Sequence, residues 1–293
     1  MKIRHCFIPV LLLLIAGVLG AQTISELEKY ANSGNADAQF LLGAKYYEGK
    51  EVERDFNKAA YWTEKAANQN DAEAQYNMGF LCERGEGVEK DYAKAAEWYE
   101  KAANQGHKVA QGELAYLYYT GSGREKDNDE ALYWYEKAAN QGVDFAQHSL
   151  GYMYSEGLGT EKDNAAAIGW FRKAVAQKYE ASKKPLFKLL YEGEGGEAAY
   201  PEAFVLLEEL LEADSTNDEY QYMIALMYLN GKGVETDEEK AFFWMKKAAW
   251  NDHIDAQWEL ADMYEYGIGV EIDTAEADYW YEVAEENEYY WWW

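Results

Sequence analysis

The chain has 293 residues, 54 acidic against 27 basic side chains, and a net charge of −27. A surface this acidic repels nucleic acid and anionic lipid head groups, and suits a basic partner or plain solubility. Two cysteines and four histidines leave little material for a disulfide framework or a zinc site.

Residues 1–21 read as a signal peptide. Lys2 and Arg4 precede an apolar run from Phe7 to about Leu19, followed by Gly20 and Ala21. That run is short and wrongly flanked for a membrane span, so cleavage is expected after Gly20 or Ala21, with no stable span afterwards. Cleavage removes Lys2 and Arg4 and no acid, taking the net charge from −27 to −29. The expected location is the periplasm or the cell exterior. The absence of any Asn-x-Ser/Thr acceptor favours a bacterial compartment over a eukaryotic lumen. Cys82 is then the one remaining thiol, expected to be buried and inert.

Residues 22–34 read as half of a repeating unit, capping the first full copy. From Asn35 to Lys178 four copies of a 36-residue pattern run back to back. Residues 179–216 hold a degenerate copy, and 217–287 carry two more. A fixed period of this size means a solenoid of stacked units. Counting position 1 from Asn35, Asp71, His107, Val143, Asn217 and His253, position 8 is apolar, position 9 is Gly or Ala, and position 12 is Tyr in five copies. This spacing predicts a first helix over positions 2–14. Glycine at 15, and at 17 in five copies, supplies the left-handed backbone that ends it. Aspartate at 21 (Asp55, Asp91, Asp127, Asp163, Asp237, Asp273) is placed to cap a second helix. That helix carries Ala at 25 and 32 around a Trp at 28: Trp62, Trp98, Trp134, Trp170, Trp244 and Trp280. Six tryptophans at one internal position argue for core rather than for ligand-stacking indoles.

In the degenerate copy the Asp and Trp are missing. A first helix is expected to start near Pro185, with Ser182 or Lys184 outside it, and a second to span Pro201–Ala213. The tail 288–293, EYYWWW, packs five aromatics where the last helix should have ended. Its candidate contacts are the chain's own last repeat, a partner, or a membrane interface.

The helix, Gly-x-Gly loop, Asp, Ala, Trp, Lys-Ala-Ala and Gln-Gly sequence resembles the Sel-1-like repeat, a relative of the tetratricopeptide repeat. The resemblance covers nearly the whole chain after residue 21. It implies an all-α, right-handed superhelical solenoid of antiparallel helix pairs, used mainly as an adaptor for protein–protein contacts. Some cysteine-rich bacterial members are associated with binding or hydrolysing β-lactams. Those carry a disulfide in each repeat, which this chain lacks, so β-lactam hydrolysis is the least favoured activity.

No enzyme motif is present. His107, His148 and His253 have no second His or Cys at ligand spacing, and no nucleophile elbow, phosphate loop or calcium loop occurs. No catalytic residue, metal or cofactor is expected. Binding is read instead from positions 6, 10 and 13 of the first helix, about 140–200° from the core row and variable between copies. By resemblance to tetratricopeptide arrays this face lines a concave groove. Its aromatic members, Tyr76, Phe80, Tyr116, Tyr119, His148, Tyr152, Tyr222 and Trp258, are the candidate contacts for an unidentified peptide or protein. The competing role for the same residues is packing between neighbouring repeats. Carbohydrate or cell-wall binding through exposed aromatics is the alternative function.

Overall fold

The computed structural model describes residues 23–194 and 199–290, with side chains through Glu288. The proposed signal peptide and the tail side chains lie outside the described residues. Every described element is helical: fifteen α-helices and one 3₁₀ turn. They fall into two compact units, divided after Lys162.

The first unit opens with α1 (Ile24–Asn32), capped by Thr23 and Glu26 in a reciprocal box. It continues with α2 (Ala36–Glu48), α3 (Phe56–Ala67), α4 (Ala72–Arg84), α5 (Tyr92–Asn104), α6 (Lys108–Thr120), α7 (Asn128–Asn140) and α8 (Asp144–Glu156). The second holds α9 (Asn164–Ala176), α10 (Lys183–Glu192), α11 (Tyr200–Ala213), α12 (Asp218–Asn230), α13 (Glu238–Trp250), α14 (Ile254–Tyr266) and α15 (Thr274–Tyr290). First helices occupy positions 2–14, as the spacing predicts. Each ends on a left-handed glycine at position 15, from Gly49 (φ 67°) to Gly267 (φ 72°). Each position-21 aspartate accepts backbone N–H groups at the start of the next helix, as Asp91 does from Ala93 and Lys94 at 2.9 and 3.0 Å. The aspartate's own N–H closes the loop onto the position-12 carbonyl, for example Asp127 onto Tyr118 at 3.0 Å.

The position-17 glycine has a separate task. It presses against the start of the preceding second helix, so that a Cβ on Gly123 would overlap the Tyr92 carbonyl and one on Gly159 that of Asn128. The first full repeat has Glu51 at this position. Its preceding helix, α1, begins only at the equivalent of position 26, so among the described residues no helix start crowds Glu51.

Packing refines the expected core. The alanines at 25 and 32 are buried in all six copies. Of the tryptophans at 28, Trp62, Trp134 and Trp280 are buried, whereas Trp98, Trp170 and Trp244 are only half-buried. At 100° per residue, positions 25, 29 and 32 share one face and 28 lies on its flank. The deepest side chains are accordingly at 29: Thr63, Tyr99, Tyr135, Phe171 and Met245. The half-buried indoles are roofed by the lysine at 31, with Lys101 3.9 Å from Trp98 and Lys173 3.6 Å from Trp170.

A contact that sequence spacing does not announce ties successive helices together. Position 5 is glutamine in every copy, and all six are buried: Gln39, Gln75, Gln111, Gln147, Gln221 and Gln257. The Gln75 amide donates to the Ala67 carbonyl of the preceding second helix (3.2 Å). Its oxygen accepts from Gln105, at position 35 of its own repeat (2.7 Å). Gln39, Gln111 and Gln257 make the same two bonds. One side chain therefore joins three helices.

Two expectations are corrected. In the degenerate copy α10 starts at Lys183, two residues before Pro185, with Ser182 outside it as expected, whereas Lys184 lies inside the helix. Proline is tolerated there because first-turn N–H groups have no intrahelical acceptor. The last helix runs through 288–290 instead of ending before the tail. Earlier second helices are stopped by a left-handed residue at position 36, such as Asn70, Gly106, Gly142 or Asp252. Glu288 stands there in the last copy, and the helix continues.

Gln75→Ala removes the second hydrogen bond on the Ala67 carbonyl, which keeps the Asn70 N–H, and the partner of the exposed Gln105 amide, and should cost about 1–2 kcal/mol. Trp134→Ala should cost about 3–5 kcal/mol and half-buried Trp98→Ala clearly less. Urea titration followed by circular dichroism checks both; equal loss at the two tryptophans would contradict the packing described.

Candidate functional site

The eight aromatic candidates do not share one environment. Tyr76 is buried, stacked on the His107 ring at 4.7 Å and 5.8 Å from Tyr99. Phe80 is buried against Tyr47, under the Arg84 guanidinium. Both fill contacts between repeats and present little surface to a partner. In the second unit, Tyr222 is half-buried and stacked on His253 at 4.3 Å, and Trp258 is half-buried 5.8 Å from Tyr281. The two His–Tyr stacks share a design. Each histidine caps its helix through Nδ1, and its Nε2 faces a glutamate, Glu73 or Glu219, from the preceding repeat.

Three candidates do come together. Tyr116 and Tyr119 lie one turn apart on α6 and Tyr152 on α8, all in the first unit. Tyr116 and Tyr152 are 45% and 42% exposed, the largest aromatic surface any first helix offers apart from Tyr266. Tyr119 is half-buried, meets Tyr152 edge-on at 6.4 Å and shares a side-chain hydrogen bond with it. His148, on the same face of α8, is half-buried, and burial holds its pKa below the ordinary value.

Beneath them lies a polar layer that the repeat pattern alone does not reveal. Tyr99 donates to Glu83 at 2.9 Å. Buried Tyr135 hydrogen-bonds Ser149 and senses Tyr116, Tyr119 and Glu113. Burial, then the nearby Glu83 carboxylate, pushes Glu113 up to about 8. Near neutral pH Glu113 thus adds a protonated carboxyl to this layer, near the Glu83 carboxylate that accepts from Tyr99. The signal was Glu113 at position 7, where Leu41, Asn77, Ser149 and Met223 stand in other copies and only the last, with Glu259, repeats it.

Elsewhere the described residues hold no cluster of three or more His, Cys, Asp or Glu side chains fit for a metal. Cys82 is free and buried, and burial pushes its thiol up to about 11, where little thiolate forms at neutral pH. No described helix is long and apolar enough to cross a membrane.

The Sel1 repeat model matches six segments: 36–71, 72–107, 108–143, 144–179, 218–253 and 254–289. The chain belongs to the Sel1 repeat family. Sel1 repeats are related to tetratricopeptide repeats, build helical solenoids and generally act as non-catalytic scaffolds for protein contacts. Among solved structures, a protective antigen of uropathogenic Escherichia coli with an SLR fold is 33% identical with a TM-score of 0.68, over 90% of this chain and 56% of that one. This chain thus spans little more than half of that antigen's length. A Sel1 repeat protein from Oxalobacter formigenes is also 33% identical, with a TM-score of 0.57 over 90% of this chain and 75% of its own. No curated protein matches.

Glu113 makes stability depend on pH. An unfolded glutamate releases its proton near the ordinary value of 4.5, the folded one only near 8. The contribution is complete below pH 4.5 and is lost as pH rises to 8, where the fold must enclose a charge. Glu113→Gln should therefore melt several degrees higher than the parent at pH 8 and gain nothing at pH 4. Thermal scans across that range check it; a parallel shift at every pH would refute the assignment.

Proposed function

We propose that this Sel1 repeat chain is an exported adaptor that holds a peptide or protein segment on the first-helix face of its first unit. Tyr116, Tyr119 and Tyr152 are the anchors. The observation that carries the reading is their clustering at positions 10 and 13. Residues fixed in every copy (25, 32 and the glutamine at 5) are consumed by packing, whereas Tyr116 and Tyr152, at the variable position 10, are exposed and aromatic. Tyrosine provides a large apolar face with a polar tip at little entropic cost, the combination that dominates interface energetics. The charge of −27 favours a segment carrying lysine or arginine and raises its rate of capture. Export rests on residues 1–21, with Lys2 and Arg4 before the apolar run.

The test is capture of partners from the native exported protein by proximity labelling, compared with the Tyr116→Ala/Tyr152→Ala variant. Both side chains are substantially exposed, so helicity should be unchanged. A loss of about 2–4 kcal/mol in affinity for a captured partner is expected if the two act as hot spots. Capture that is indifferent to the double substitution would sink the reading. Fusing residues 1–21 to a reporter and fractionating the host tests export separately.

A further inference from the structure

A second surface, in the other unit, differs in chemistry from the tyrosine face. A groove of about 390 Å³ runs along α13, walled by Phe242, Phe243 and Trp250, with Lys246 and Lys247 at its floor and rim and Ser215 opposite. Phe243 is 51% and Trp250 62% exposed. No carboxylate lines the groove, although acids outnumber bases two to one in this chain. Among the described residues neither lysine has a carboxylate partner. The Lys246 ammonium donates to the Tyr264 hydroxyl at 2.9 Å, and that of Lys247 lies over the Phe243 and Trp244 rings at 4.4 and 4.6 Å. Lys240, on the same helix, does pair with Asp237 at 3.0 Å.

The groove is particular to this copy. Position 34 is Asn68, Asn104, Asn140 and Ala176 in the earlier copies and Trp250 here. Opposite it, the 38-residue degenerate copy breaks the register. Gln221 donates to Ser215, six residues earlier, where Gln75 and its equivalents reach back eight.

What fits two ammonium groups lacking carboxylates, set between exposed aromatic walls, is a segment that is both acidic and aromatic. The chain contains one. Residues 285–293 read EENEYYWWW, with Glu285, Glu286 and Glu288 exposed at the end of α15. We propose that the α13 groove takes the 285–293 segment of a second copy of this chain. The glutamates would meet Lys246 and Lys247 and the aromatics would stack on Phe243 and Trp250. Groove and segment are different surfaces, so the contact is heterologous and can link copies in series or pair them by mutual exchange. It uses none of the Tyr116, Tyr119 or Tyr152 surface.

The experiment uses the chain after residue 21, a version ending at Glu288, and a fluorescein-labelled EENEYYWWW peptide. Light scattering should show the full-length form gaining mass with concentration across the micromolar range, and the version ending at Glu288 remaining monomeric. The shortened version should bind the peptide saturably, and free peptide should dissolve the assemblies. Lys246→Glu/Lys247→Glu and, separately, Phe243→Ala should each weaken peptide binding at least tenfold and abolish self-association. Lys247 and Phe243 are exposed and Lys246 half-buried, so circular dichroism on each variant checks that the helices stay intact. Tyr116→Ala/Tyr152→Ala should leave self-association untouched, which separates this contact from the adaptor face. Self-association unaffected by the lysine reversals overturns the proposal, as does failure of the peptide to bind. If the full-length chain stays monomeric and the peptide binds only the shortened version, the occupant is the same chain's own tail, and the second-copy assignment falls.

Discussion

The buried glutamine at position 5 is the constraint on which the stack depends. A helical solenoid has to bury polar backbone wherever one second helix ends and the next first helix begins. A buried side-chain amide left unpaired there would cost about 1–3 kcal/mol. The Gln75 side chain adds a second hydrogen bond to the Ala67 carbonyl, which also accepts from the Asn70 N–H at 3.1 Å, and is itself satisfied by Gln105. The bond lengths of this relay leave little freedom in spacing. The residue whose carbonyl is used must approach closely, and it is alanine at each such joint: Ala31, Ala67, Ala103, Ala139 and Ala249. Position 35 must carry an amide, and it is glutamine or asparagine throughout. The Gly-x-Gly loop then has no slack, and its second glycine lies against the preceding helix start with no room for a Cβ. Stability in such an array is close to a sum of nearest-neighbour interfaces, so a relay repeated along the stack counts at each joint.

Much of this was legible in the sequence because the period reports each rule several times over. Helix limits followed from glycine at 15 and aspartate at 21, since these residues act locally through backbone conformation and capping. The glutamine relay was not legible. A recurring polar letter in a helix reads as a solvated face unless its partners, eight residues back and thirty ahead, are known to meet it. The tryptophans misled in the opposite direction. An indole at a fixed position signals burial, yet position 28 sits on the flank of the buried face, where Trp134 is covered and Trp98 only half-covered although a lysine lies over each. Tyr76 and Tyr116 show why the candidate face resisted prediction. Both belong to the same stripe. Tyr76 is covered because His107 caps the next helix and lays its ring on it, whereas Tyr116 has no such neighbour and remains 45% exposed.

Repetition also separates packing from recognition. Residues the relay and the core require cannot vary without loosening a joint, so specificity must reside where copies differ. Position 7 illustrates this. Leu41 is buried apolar surface in the first copy, while Glu113 at the equivalent point is a carboxyl whose charge the fold disfavours up to about pH 8. Such a residue is a stability cost at each pH above its unfolded value. It lies beneath the exposed tyrosines of α6 and α8, where the copies differ.

The same reasoning bears on the break in the period. Two extra residues in 179–216 move Gln221 off the usual carbonyl and onto Ser215. A joint so altered need not close as tightly as the regular ones, and the α13 groove opens beside it. In a chain this acidic, two lysines left without carboxylate partners at one such opening are unlike Lys58, Lys94 and Lys240, each paired with its cap aspartate three residues away. Lysines at the helix starts are taken up by their own caps, and those at position 31, Lys247 among them, lie over aromatic rings, so the charge particular to the irregular joint is that of Lys246, where Glu64, Glu100 and Glu136 stand in the first three copies.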